Sequence, residues 1–125
     1  MSQIEIPCVI MRGGTSKALF FKEGDLPEDR AKCDQILLAA FGSPDTRQID
    51  GLGGADPLTS KCAIVGPSTR NGIDVDYTFA QVSVDRPYVD WANNCGNISS
   101  AVGLFAVEEK WVKFESGVAC VRVLN

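Results

Sequence analysis

The stretch Asn93-Asn94-Cys95-Gly96-Asn97-Ile98-Ser99-Ser100-Ala101-Val102-Gly103-Leu104-Phe105-Ala106-Val107 opens polar and continues almost wholly apolar. From Ile98 onward, small and apolar side chains occupy most of a helical circumference. A helix apolar nearly all round is a buried one, so the stretch predicts a buried central helix over about residues 97–109. Its start carries chemistry. A cysteine at a helix N-terminus faces the positive end of the dipole and free backbone N–H groups, a setting that favours thiolate. The same N–H groups can bind a carboxylate, and Gly96 would let a ligand approach the backbone closely. The competing reading is a capped helix, with Asn93 or Asn94 as cap and Cys95 as buried filler.

Working outward, Ile4 to Met11 is apolar and partly β-branched and predicts a strand. Arg12-Gly13-Gly14-Thr15-Ser16 breaks it and Lys17 to Phe21 resumes it, a hairpin over residues 4–22. A helix is expected over residues 28–41, started near Pro27 or Glu28 and stopped by Gly42 and Pro44. Residues 43–60 read as a long loop, a feature often tied to function. Lys61 to Val65 predicts a short strand, and Asn71-Gly72 a turn. Val75 to Val84 alternates, with Val75, Tyr77, Phe79 and Gln81 on one face and Asp76, Thr78, Ala80 and Val82 on the other. It is expected to continue to Val89 past a kink at Pro87. Val112 to Val123 predicts a strand pair split at Ser116-Gly117.

Composition narrows the chemistry. Among 125 residues there is no histidine, which excludes Ser-His-Asp and Cys-His nucleophiles, His-based zinc sites and imidazole switches within the chain. Proton chemistry falls to Cys, Lys, Asp, Glu or Tyr. The net charge of −4 argues against nonspecific nucleic-acid binding. The longest apolar runs, Ala18 to Phe21 and Ile36 to Phe41, fall far short of the ~18 residues of a membrane span. Met1 to Ile6 lacks the basic and apolar regions of a signal peptide, so the expected compartment is the cytoplasm. Cys8, Cys33, Cys62, Cys95 and Cys120 include no CxxC, and their number is odd. They read as reduced thiols, with no metal site and no disulfide framework.

Three further features accompany Cys95. In Thr59-Ser60-Lys61-Cys62-Ala63-Ile64-Val65 a lysine adjoins an apolar strand, where partial desolvation would make it a usable base. Taken alone, a solvated lysine at a strand edge explains it better. Arg12-Gly13-Gly14-Thr15-Ser16-Lys17 offers cations, hydroxyls and exposable N–H groups suited to an anion, though it is neither a Walker loop nor a GxGxxG turn. A plain polar hairpin turn is the alternative. Asp50-Gly51-Leu52-Gly53-Gly54 is a second Gly-rich loop. Together they outline a thiolate, an amine and anion holders, the equipment for moving a proton next to a carboxylate without metal or nucleotide.

Met11-Arg12-Gly13-Gly14-Thr15-Ser16-Lys17, Gln48 to Gly54, Thr59-Ser60-Lys61, Asp74 to Tyr77 with Phe79-Ala80-Gln81-Val82, and Asn94 to Gly103 resemble, in this order, the PrpF family. That family groups 2-methylaconitate cis-trans isomerases, methylitaconate Δ-isomerases and 4-oxalomesaconate tautomerases. The resemblance runs from about residue 6 to the C-terminus. It implies an α+β, diaminopimelate epimerase-like fold, with a mixed sheet curled around the central helix as the first of two similar halves. Residues 1–125 would then be the N-terminal half-domain of a truncated chain. It also implies cofactor-independent isomerisation of an unsaturated di- or tricarboxylate, with no metal. By the same resemblance Lys61 and Cys95, 34 residues apart, are the acid/base pair. Arg12, Gly14, Thr15, Ser16, Gly53, Gly54, Gly96, Asn97 and Ile98 are the substrate-binding positions. Val89-Asp90-Trp91 looks more like the methylaconitate and methylitaconate members. Leu104 departs from the family, which commonly has proline there. The fragment alone is expected to be inactive, and to form homo-oligomers through an exposed sheet edge or the missing half. A noncatalytic self-associating domain and a thiol redox protein built on Cys95 are the alternatives from other classes. The absence of a nearby resolving cysteine weighs against the last.

Overall fold

A computed structural model describes residues 3–125. Four strands build the body of one mixed sheet: β1 (Val9–Gly13), β2 (Ser16–Lys22), β3 (Lys61–Pro67) and β4 (Val75–Val82). β1 and β2 form an antiparallel hairpin, β2 and β3 run parallel, and β3 and β4 are antiparallel. The far side of β4 takes two short strands, β5 (Val89–Asp90) at its end and β6 (Val123–Leu124) at its start. The parallel β2–β3 pair requires a crossover, supplied by helix α1 (Arg30–Phe41) and the loop after it. Helix α2 (Gly96–Glu108) covers the opposite face.

Alternation along β2, β3 and β4 sorts the core. Ala18, Phe20, Ala63, Val65, Val75, Tyr77 and Phe79 pack with Ile98, Ala101, Val102, Phe105 and Ala106 of α2. Leu19, Phe21, Cys62, Ile64, Ala80 and Val82 pack with Cys33, Leu37 and Phe41 of α1. The sheet is thus buried on both faces, and β2 and β3 read as continuous apolar runs for that reason. Phe105 anchors α2, its ring 5.4 Å from Phe20 and 5.8 Å from Trp111.

The central helix matches its expected span to within a residue. α1 starts at Arg30, two residues beyond the expected start, because the Asp29 side chain accepts from Ala31 N and caps the helix. Three strand expectations need correction. The first strand starts at Val9 instead of Ile4, since Pro7 has no N–H to give to a ladder. β4 does not continue past Pro87: it ends at Val82, the chain reverses, and Val89 returns opposite Val82. The reversal is closed by Ser83 N donating to Tyr88 O at 2.9 Å. Near the C-terminus the turn lies at Ser116-Gly117 as expected, both with positive φ. Its ladder stops at one bridge, Glu115 to Val118, and only Val123–Leu124 joins the sheet. Phe114 and Val118 are exposed there, and only Val112 and Val121 of the two arms pack against the α2 core, too little to hold a ladder.

Candidate functional site

The site is built where the β1–β2 turn meets the first turn of α2. Gly13 and Ser16 are paired at the hairpin end, and Gly14 takes a φ of +55° in the loop between them. This positive φ suits a tight hairpin. A Cβ at Gly13 would collide with the Asn97 carbonyl oxygen, and one at Gly14 with the Asn97 side chain. Asn97 Nδ2 donates to Thr15 Oγ1 at 3.2 Å. Glycine is therefore required here so that hairpin and helix can touch.

α2 begins without a side-chain cap. Cys95 stands at the N-cap position in extended conformation (φ −130°, ψ 109°), and its side chain makes no capping bond. The Asn93 and Asn94 cap considered as the alternative does not form: Asn94 Oδ1 accepts from Cys95 N at 2.7 Å, and Asn93 Nδ2 donates to Asp90 Oδ2. Among the described residues the N–H groups of Gly96, Asn97 and Ile98 thus have no side-chain acceptor, and these are the orphan donors of a helix start. Cys95 itself is buried in the core beneath α2. Gly96 is open: a Cβ there would meet nothing within 4 Å.

Lys61 opens β3, pairing with Ala18 of β2 on one side and Gln81 of β4 on the other. Alternation with Ala63 and Val65 puts its side chain on the α2 face. It is only 8 % exposed, and its ammonium group sits 5.3 Å from the centre of the Phe79 ring. Its Nζ donates to Gln81 Oε1 at 2.9 Å. Ser16, on the same face two residues before Ala18, is 2 % exposed, and its Oγ has no partner among the described residues.

The structure therefore brings Ser16, Lys61, Cys95 and the Gly96-Asn97-Ile98 backbone to one end and one face of the sheet. Thr15 and Gly14 join through Asn97. No hydrogen bond links Lys61 to Cys95 among the described residues. Arg12 is placed differently: it alternates with Met11, which packs toward α2, and its Nε donates to Gly14 O at 2.8 Å. Gly53 and Gly54 serve the loop's own packing, since a Cβ at either would collide with the side chain of Gln48 or Thr59. Gln48, 1 % exposed, ties that loop together. Its Nε2 donates to Ser60 Oγ at 2.8 Å and Ser43 Oγ at 3.1 Å, and its Oε1 accepts from Ala55 N at 2.8 Å. Neither Gln48 nor Gln81 was marked as a site residue by sequence. A polar residue at the end of the otherwise apolar Val75-Tyr77-Phe79 face was the available signal for Gln81.

Residues 3–125 match the family described as PrpF protein. The chain is 63% identical over 123 residues to 3-methylitaconate isomerase of Eubacterium barkeri, covering 98% of this chain and 32% of that protein. It is 54% identical over 123 residues to 4-oxalomesaconate tautomerase of Pseudomonas putida, covering 98% and 34%. It is 49% identical over 131 residues to 2-methyl-aconitate isomerase of Cupriavidus necator, covering 97% and 33%. A crystal structure of methylitaconate-delta-isomerase superposes with a TM-score of 0.92 at 59% identity, over 94% of this chain and 30% of that one. The chain spans about a third of the length of these relatives. With a matched family over nearly its whole length, this chain belongs to the PrpF family.

Proposed function

We propose that this chain carries the Lys61/Cys95 side of a cofactor-independent isomerase that shifts a proton and a double bond in an unsaturated di- or tricarboxylate. The carrying observation is Lys61, almost fully buried on the α2 face, at the end of the sheet where α2 starts uncapped, and bonded to a neutral amide instead of a carboxylate. Removing a proton from carbon next to a carboxylate-bearing double bond leaves a dienolate-like anion. Its charge needs fixed donors and cations in place beforehand. The free N–H groups of Gly96, Asn97 and Ile98 and the Ser16 hydroxyl are such donors. One of Lys61 and Cys95 takes the proton; the other returns one at the far end of the allylic system, so no net proton is consumed. The relatives' substrates, methylitaconate, oxalomesaconate and 2-methylaconitate, all fit this class.

We further propose the diaminopimelate epimerase-like arrangement, with residues 3–125 belonging to one half and the open side of Gly96 facing the other. In that arrangement the chain alone is inactive and self-associates. The test is turnover of the three substrates by the whole enzyme, with deuterium uptake from solvent as a second readout. Cys95→Ser and Lys61→Ala should each lower kcat by about 10²–10⁴. Wild-type turnover in both variants would refute the assignment.

A further inference from the structure

We propose that Gln81 is the positioning residue of Lys61: its amide oxygen fixes Nζ without supplying a counter-charge. This inference rests on the proposed acid/base role of Lys61. Gln81 faces Lys61 directly across the β3–β4 pair, so their side chains share the α2 face. Its orientation follows from its own partners. Gln81 Nε2 donates to Pro57 O at 2.9 Å and to Ser60 O at 3.0 Å. Carbonyl oxygens only accept, so both amide hydrogens are committed and the oxygen must point at Lys61. That oxygen takes one Nζ hydrogen at 2.9 Å.

The surroundings leave the role to Gln81. Among the described residues Lys61 forms no ion pair, the recorded pair being Lys22 with Glu109. The nearest carboxylate in register is Asp90, opposite Gln81 on β5. It accepts from Ala92 N at 2.9 Å and Asn93 Nδ2 at 2.6 Å. The other titratable groups on this face are Cys95, Tyr77 and, at the far end of β2, the Lys22–Glu109 pair; among the described residues none of them is bonded to Nζ. A carboxylate at the position of Gln81 would hold the ammonium form. A neutral amide accepts from either form of the lysine, more strongly from ammonium but without a counter-charge to lock it, so Lys61 keeps its anchor through loss and regain of a proton. The same amide ties Nζ to the Pro57–Ser60 segment, so the loop before β3 and the lysine move as one.

The test needs no substrate. Arylation of Lys61 by trinitrobenzenesulfonate, which consumes the neutral amine, is followed against pH by peptide mass spectrometry, with exposed Lys32 as the internal reference. In Gln81→Glu the Lys61 profile should move up by about one pH unit, roughly tenfold slower reaction at fixed pH. In Gln81→Met it should move the other way, Lys32 being unchanged in both. Each variant is scored on material with wild-type circular dichroism, and Gln81→Met serves if Gln81→Glu does not fold. Profiles that superpose on wild type overturn the proposal. In the whole enzyme, Gln81→Met should lower kcat by about tenfold with KM changed less than about twofold, since Gln81 acts through Lys61 and not on substrate. A wild-type enzyme without turnover would refute the isomerase reading instead, and the Lys61 profile would still decide the role of Gln81.

Discussion

At Gly96 the chain itself makes no demand for glycine: φ is not positive and an added methyl group would meet nothing within 4 Å. Alanine in a first helical turn should therefore stabilise by about 0.5–1 kcal/mol. A ligand carboxylate seated on the free N–H groups would meet that methyl group. Gly96→Ala is thus expected to raise the thermal midpoint and raise KM together, read by calorimetry and steady-state kinetics. A raised midpoint with unchanged KM would show that no substrate group approaches there. Buried acids make a second residue-scale prediction. Burial pushes the Cys62 thiol well above the usual thiol range, with Cys33 and Cys8 adding to it. The Tyr77 phenol is pushed up by burial first, then by Cys95 and Cys62. Both keep their protons longer in the folded state than in the unfolded one. The contribution of Cys62 is complete below the ordinary thiol range and that of Tyr77 below the ordinary phenol range, and each is lost as pH rises beyond it, by roughly 1.4 kcal/mol per pH unit per group. Urea midpoints should accordingly begin to fall near about pH 8.5 through Cys62 and fall more steeply above about pH 10 as Tyr77 joins, and Cys62→Ala should flatten the first part of the fall.

Among the elements, the hairpin and α2 approach closely because Gly13 and Gly14 carry no side chain. Gly13→Ala puts a methyl group onto the Asn97 carbonyl, and neither backbone can yield cheaply. Moving the first turn of α2 by even a fraction of an ångström spoils donors aimed at a reacting anion. The expected outcome is a loss of about 1–3 kcal/mol in stability and a kcat reduced well beyond that of a surface substitution. Chemical denaturation and turnover on the same preparation check it. At the other helix, Gly42 ends α1 with a φ of +81°, and its N–H donates to Leu38 O at 3.0 Å. A Cβ there would press on Gln48 O and Gly51 N. Gly42→Ala combines the left-handed penalty with that contact, and about 2 kcal/mol is the expected loss. Helix ends were legible in the sequence because Gly42 and the polar run before Cys95 are local signals. The reversal at residues 83–88 was not, because Pro87 marks a kink and a turn equally well. Only the pairing of Val89 with Val82 separates the two.

At the scale of the whole molecule, an apolar cleft of about 430 Å³ runs between α2 and the C-terminal segment, lined by Leu104, Val107, Phe114, Val121 and Val123 among others. Leu104 and Phe114 are more than half exposed. Exposed apolar surface of this kind favours association. Sedimentation velocity of the 125-residue chain should show concentration-dependent self-association, reduced in Leu104→Ser; a monomer at all concentrations would count against it. The absence of histidine, the candidate thiol and amine, and the two helices were all readable from residues in order, since composition and 3.6-residue periodicity are properties of short segments. Membership of the PrpF family was readable too, because its motifs are contiguous. What tertiary structure decided was adjacency. Lys61 and Gln81 are 20 residues apart, Asn97 and Thr15 are 82 apart, and the pairing of strands brings each couple within hydrogen-bond reach. Tertiary structure also gave the glycines different duties. Gly13 and Gly14 admit Asn97, Gly53 and Gly54 admit Gln48 and Thr59, and Gly96 alone of these is left open. A glycine's neighbours come from distant parts of the chain, and no local pattern of residues encodes them.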